Sequence, residues 1–175
     1  DFPGSRSRLY TGVEYTGLIY DKSTGHPYLG SPYLQAGSVV YENIAYANIP
    51  LLYDLAQNQL VIGDARRPNV LLVLDPGKVN QFTLNNRHFV SLPASLNIES
   101  GFYEQVHAGL VQVLVQRQKV AKGRIASQNS IRFFNEKNQY ILVIANTYYP
   151  VQSKEDAFLV LADQKKKIQL FVKRE

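Results

Sequence analysis

Between Ser38 and Gly63 the chain reads SVVYENIAYANIPLLYDLAQNQLVIG, three apolar–aromatic runs separated by polar breaks. The runs are Ser38–Tyr41, Ala45–Tyr53 and Gln59–Ile62. Runs of this length, with turn residues between them, predict consecutive strands that fold back on one another. Glu42-Asn43 fits the tip of the first hairpin, because Asn accepts a positive φ more readily than most residues. Asp54–Asn58 makes the next connection, as a loop or as a helical turn through Leu55-Ala56-Gln57.

The same punctuation runs through most of the chain. Leu9–Tyr20 reads as an early strand, bent near Gly12 or Gly17. Asp21–Gly37 carries many glycines and prolines and predicts a long loop, with short extended pieces at Tyr28 and Tyr33. Val70–Leu74 is a strand that ends at the turn Asp75-Pro76-Gly77. Val79–Leu84 and Arg87–Leu92 form a hairpin around Asn85-Asn86. After a loop at Pro93–Gly101, Phe102–Ala108 and Leu110–Ala121 flank Gly109. Lys122–Ser130 is a polar connection. Ile131–Phe134, Tyr140–Ala145 and Tyr148–Val151 read as three more strands, with turns at Asn135–Gln139 and Asn146-Thr147.

The period changes at Ser153. Ser153 and Asp156 have the spacing of a capping box, with Asp in place of Glu or Gln. Phe158, Leu161, Lys165, Ile168 and Phe171–Val172 fall near helical spacing, and Asp163 is a candidate start for a second helix. Early acids and the late Lys173-Arg174 suit the helix dipole. The expected fold is mainly β. It is an antiparallel meander of about ten strands, as a curved sheet, barrel or sandwich, with one or two C-terminal helices. It is expected to be a single domain spanning 1–175. Residues 1–8 form a loose arm, 9–151 the meander and 153–174 the helical segment.

Composition refines this picture. Of 175 residues, 45% are hydrophobic, enough for a packed core. Tyr occurs 12 times and Trp not at all, which suits half-buried strand positions where the ring packs and the hydroxyl stays wet. The net charge of +5 is modest. It is uneven, however: Arg117, Lys119, Lys122, Arg124 and Arg132 occupy a stretch from Gln105 to Asn135 that has no carboxylate. A solvated strand face explains such a stretch. Sparse aromatic interleaving argues against a single-stranded nucleic-acid platform, so nucleic acid is not an expected partner. The absence of Cys excludes disulfides and thiolate metal sites. The absence of Met and the start at Asp1 are read as a removed signal peptide or a trimmed chain. No apolar run approaches the roughly 18 residues of a spanning helix.

Several stretches together resemble a group of uncharacterised exported proteins of Bacteroidetes-type bacteria. They are LYTGVEY at Leu9–Tyr15, GHPYL at Gly25–Leu29 and GSVVYENIAYANIPLLYDLAQNQLVI at Gly37–Ile62. GFYEQVHAGLVQVLVQRQK at Gly101–Lys119 and YYPVQSKEDAFLVLADQKKKIQLFVK at Tyr148–Lys173 complete the set. The resemblance implies export to the periplasm or cell surface and supplies no catalytic residues. Association with the cell envelope is a separate expectation.

Candidate chemistry is sparse. His26, His88 and His107 lack metal-ligand spacing, and no HExxH occurs. Ser38 sits beside Gly37 in a strand-start context, without a GxSxG elbow. Glu14, Asp21, Asp54, Glu99 and Glu104 are the carboxylates available to a hydrolase. Tyr15, Tyr20, Tyr28, Tyr33, Tyr41, Tyr46 and Tyr53 are either packing for the sheet or the lining of a concave binding surface. No catalytic or metal residue is assigned, and no cofactor is expected. The expected function is a non-enzymatic exported binding or structural module of unknown ligand, with an unknown protein or an apolar or glycan ligand as its partner. The alternatives are a carrier for a lipid-like ligand in a barrel and a carboxylate-based hydrolase.

Overall fold

The computed structural model describes residues 8–17, 23–65, 67–126 and 129–163. It is mainly β. The strands are β1 (Val13–Glu14), β2 (Ser23–Thr24), β3 (Gln35–Tyr41), β4 (Ile44–Asp54), β5 (Gln59–Gly63) and β6 (Leu71–Val73). They continue as β7 (Val79–Leu84), β8 (Arg87–Leu92), β9 (Gly101–His107), β10 (Val111–Ala126), β11 (Asn129–Ile144) and β12 (Thr147–Val151). One helix follows, α1 (Lys154–Asp163). The order β1-β6-β5-β4-β3-β7-β8-β9-β10-β11-β12 is antiparallel and open-ended, with β2 pairing parallel to β11 off that path. The sheet therefore does not close, and the barrel among the expected shapes is corrected to an open sheet.

The chain divides into two compact units, 1–86 with 118–137, and 87–117 with 138–175. In the first, β3 and β4 form the central hairpin, with Val39 opposite Tyr46 and Tyr41 opposite Ile44. Its tip is Glu42-Asn43, with φ of 50° and 63°. Two successive positive φ values give the type I′ twist that matches paired strands. Leu60, Val61 and Ile62 of β5 are all fully buried, so this strand is covered on both faces. Tyr53 packs edge-on against Phe82 at 5.2 Å between ring centroids. Each such side chain stabilises the fold by about 1.5–3 kcal/mol through burial.

In the second unit Tyr103, Leu114, Ile141 and Val143 form a core with Ile98. The helix start is as expected. Asp156 N–H donates to Ser153 Oγ at 3.0 Å, and Gln152 N–H donates to Asp156 Oδ2 at 3.2 Å. Asp163, the expected start of a second helix, is the last described residue of α1, which continues through Ala162 without a break. The residues after it, including Lys173-Arg174, and residues 1–7 of the expected arm lie outside the described residues.

Other expectations are corrected. The early strand shrinks to Val13–Glu14, because it pairs only with Val73 and Leu72. Leu9 is buried ahead of it, and Tyr20 lies outside the described residues. Tyr28 is extended, bridging to Asp54, whereas Tyr33 is an exposed bend. No turn interrupts Asn135–Gln139, and the polar connection at Lys122–Ser130 is largely strand, because β10 and β11 are each 16 residues long. Backbone pairing along a ribbon needs no apolar side chains, so apolar periodicity missed it. The last hairpin turns at Ala145-Asn146, one residue earlier than expected.

Candidate functional site

The polar centre of the first unit is Asp54, at the end of β4 and fully buried. Its Oδ1 accepts from the backbone N–H groups of Ala56 and Gln57 at 2.8 and 3.0 Å. Its Oδ2 accepts from the Tyr15 hydroxyl at 2.5 Å and from Gln57 Nε2 at 3.0 Å. A buried carboxylate is stable when its lone pairs are used in this way. The local reason is the turn after β4, which an Asp side chain closes by bonding the backbone two and three residues on. Burial drives the Tyr15 hydroxyl far above its ordinary pKa, and the hydrogen bond to Asp54 adds to the shift.

A second set of contacts ties the loop before β3 to β10. Lys119 Nζ donates to the carbonyls of His26 and Tyr28 at 3.0 and 2.9 Å. His26 Nδ1 accepts from Tyr28 N–H at 3.2 Å, and the two rings stack. Burial lowers the pKa of His26, and the Lys119 charge lowers it further. The Tyr28 hydroxyl stands 3.4 Å from that of Tyr15.

Beside this network lies a cleft of about 580 Å³. Thr11, Glu14 and Thr16 line one wall, Gln57 and Gln59 another, and Asp75, Pro76 and Lys78 a third. The first wall is held by β1, by a bond from Tyr15 N–H to Leu71 O at 2.8 Å, and by the Tyr15–Asp54 link. Gly12 is required in that wall, since a Cβ there would overlap the Val73 carbonyl oxygen. Asp75 Oδ1 accepts from Gly77 N–H at 3.0 Å, which leaves Oδ2 for other partners. Lys78 Nζ lies 2.8 Å from Glu42 Oε1, and that hydrogen bond raises its pKa.

The first unit also has a shallower apolar groove of about 600 Å³, bordered by Tyr10, Pro32, Tyr33, Leu34 and Pro50. In the second unit Glu104 is gripped by two arginines. Arg87 binds it through Nε and Nη2 at 2.7 and 2.9 Å, and Arg117 through Nε at 2.6 Å. Phe89 and Val115 both pair with Glu104, so Arg87 and Arg117, each two residues away, share its face. Burial pushes the Glu104 pKa up, but the hydrogen bonds from Arg87 and Arg117 outweigh it and hold the group below its ordinary value.

The sequence candidates are therefore dispersed. His26 sits in the loop network, His88 in β8 and His107 at the exposed end of β9. No group of metal-type ligands forms among the described residues. Ser38 Oγ pairs with Thr83 Oγ1 across strands at 2.6 Å. Tyr46 and Tyr53 are buried packing, Tyr41 is buried but borders the cleft, Tyr15 and Tyr28 meet near Asp54, and Tyr33 is exposed. Of the carboxylates, Glu14 reaches the cleft, Asp54 and Glu104 are saturated by partners, and Glu99 is exposed. Asp21 lies outside the described residues, as do the side chains of Arg124 and Arg132. Lys122 is exposed. The basic stretch is partly committed to structure, because Arg117 serves Glu104 and Lys119 serves two carbonyls. Sequence reading missed Gln57, Asp75 and Lys78 as cleft residues. Asp75 was visible only as turn punctuation.

Comparison with protein-family models, with curated proteins and with solved structures finds no match to this chain. Among the described residues, no helix is long and apolar enough to cross a membrane.

Proposed function

We propose that this chain is an exported, non-enzymatic binding module whose ligand occupies the cleft of the first unit. The cleft carries the reading. Its volume of about 580 Å³ lies within the range of small-molecule sites, and its lining mixes apolar wall with a few oriented polar groups. The hydrogen bonds around Asp54 hold Gln57 and Tyr15 in place before any ligand arrives, which reduces the ordering cost of binding. Export to the periplasm or cell surface is supported by the resemblance of the chain's strand and turn motifs to exported proteins.

A lipid carrier would call for an enclosed apolar cavity, and Glu14, Gln57, Gln59 and Asp75 line this one. Hydrolysis is the second reading, because Glu14 and Asp75 border the same cleft.

The test is an NMR screen of the whole chain against a library of neutral and charged soluble fragments. Shifts clustered at Thr11–Thr16, Gln57 and Asp75, and lost in Gly12→Ala, support the reading. Hits scattered elsewhere, or none, overturn it. Chemical turnover of a bound compound replaces it with the hydrolase.

A further inference from the structure

The chemistry of the cleft also selects a ligand class. We infer that the cleft binds a neutral carbohydrate through its hydroxyl groups, an inference that rests on reading the cleft as the ligand site.

Charge is the first argument. Lys78 is the cation in the described lining, and its ammonium is already 2.8 Å from Glu42. That pairing offsets its charge towards a phosphate, sulfate or uronate, and Glu14 and Asp75 present only acceptors, which such acceptor-rich groups cannot bond. A cationic ligand gains little in return. Glu14 is exposed to solvent, where attraction is screened, and one oxygen of Asp75 is occupied by Gly77 N–H.

Hydrogen-bonding capacity is the second. An apolar ligand would strip water from the carboxylates and amides of the walls and return no partner. Sugar hydroxyls both donate and accept. They match the acceptors on Glu14 and Asp75 and the side-chain amides of Gln57 and Gln59. Gln57 is oriented for this role: one N–H of its Nε2 is held by Asp54, which fixes the amide and leaves Oε1 as an acceptor. Val13, which is 78% exposed, and Pro76 supply apolar surface for the C–H face of a ring.

Calorimetry and NMR of the whole chain with four probes test this: cellotetraose, mannotetraose, tetragalacturonate and the tetramer of glucosamine. At least one neutral probe binds, shifts Glu14, Gln57 and Asp75, and loses about tenfold in affinity in Glu14→Ala, an exposed position that the fold does not need. The anionic and cationic probes bind at least tenfold more weakly. Tighter binding of either charged probe overturns the inference. If no neutral probe binds while the fragment screen still marks the cleft, the carbohydrate class is wrong and the cleft stands. If neither marks it, both readings fall.

Discussion

The Tyr15 hydroxyl donates a 2.5 Å hydrogen bond to Oδ2 of Asp54, 39 residues further along the chain. That bond joins the outer wall of the cleft to the buried end of β4. Tyr15→Phe removes one of four donors to a buried carboxylate and is expected to cost about 1–3 kcal/mol. Thermal unfolding measures the loss. Hydrogen exchange should quicken at the Tyr15 amide, which bonds Leu71 O, and stay slow in β5. Unchanged exchange at Tyr15 would show that the link does not hold the wall.

The same pair sets an alkaline limit. Burial raises the Tyr15 pKa above its unfolded value, so the folded state keeps the proton more tightly. Stability from this group is complete below the unfolded tyrosine value of about 10 and falls as pH rises above it. Tyr41, Tyr46 and Tyr103 are also raised by burial, so Tyr15→Phe should flatten the alkaline decline without abolishing it. Denaturant titrations across that range check the slope.

Glu104 acts at the acid end. Burial opposes its ionisation, but the bonds from Arg87 and Arg117 prevail and depress its pKa in the folded state. Its stabilisation is present above the unfolded glutamate value of about 4.3 and is lost as pH falls through the lower folded value. Glu104→Gln leaves two guanidinium groups without their carboxylate and is expected to cost about 3 kcal/mol near neutral pH. It should also shrink the acid decline, a change readable from stability curves at several pH values. An unaltered acid limb would assign that decline to other carboxylates.

Lys119 and His26 are coupled through charge. Burial lowers the His26 pKa first, and the nearby ammonium lowers it further. In Lys119→Met the His26 value should move up towards its ordinary range, as followed by NMR titration of the ring. A static or falling value would contradict the contact.

Ala145 holds a φ of 48° at the turn between β11 and β12. A left-handed conformation costs a residue with a Cβ about 1–2 kcal/mol, and Asn tolerates it better. Ala145→Asn is therefore expected to stabilise the protein by about 1 kcal/mol, measured as a rise in Tm. A fall would mean the turn is not the strained type I′ form.

Much of the fold was legible locally. Glu42-Asn43 and Asn85-Asn86 announced hairpins because positive φ is written in residue type, and both turns form. Ser153 and Asp156 announced a helix start because capping is decided within four residues. The long strands β10 and β11 were obscured because their polar stretches show no apolar alternation in the sequence, although the two strands are neighbours in the sheet.

The candidate site was not legible, for a different reason. Asp54 alone is one acid among 14 acidic residues, and Glu104 alone looks like a surface charge beside an unbalanced basic stretch. What they do depends on Tyr15, Gln57, Arg87 and Arg117, which strand register brings to them from elsewhere in the chain. By itself, then, the sequence determined the turns, most strands and the helix cap, since each is settled by neighbours a few bonds away. Only the tertiary structure decided which charges are neutralised, which carboxylates are buried and where a cleft remains, since those depend on contacts between distant strands.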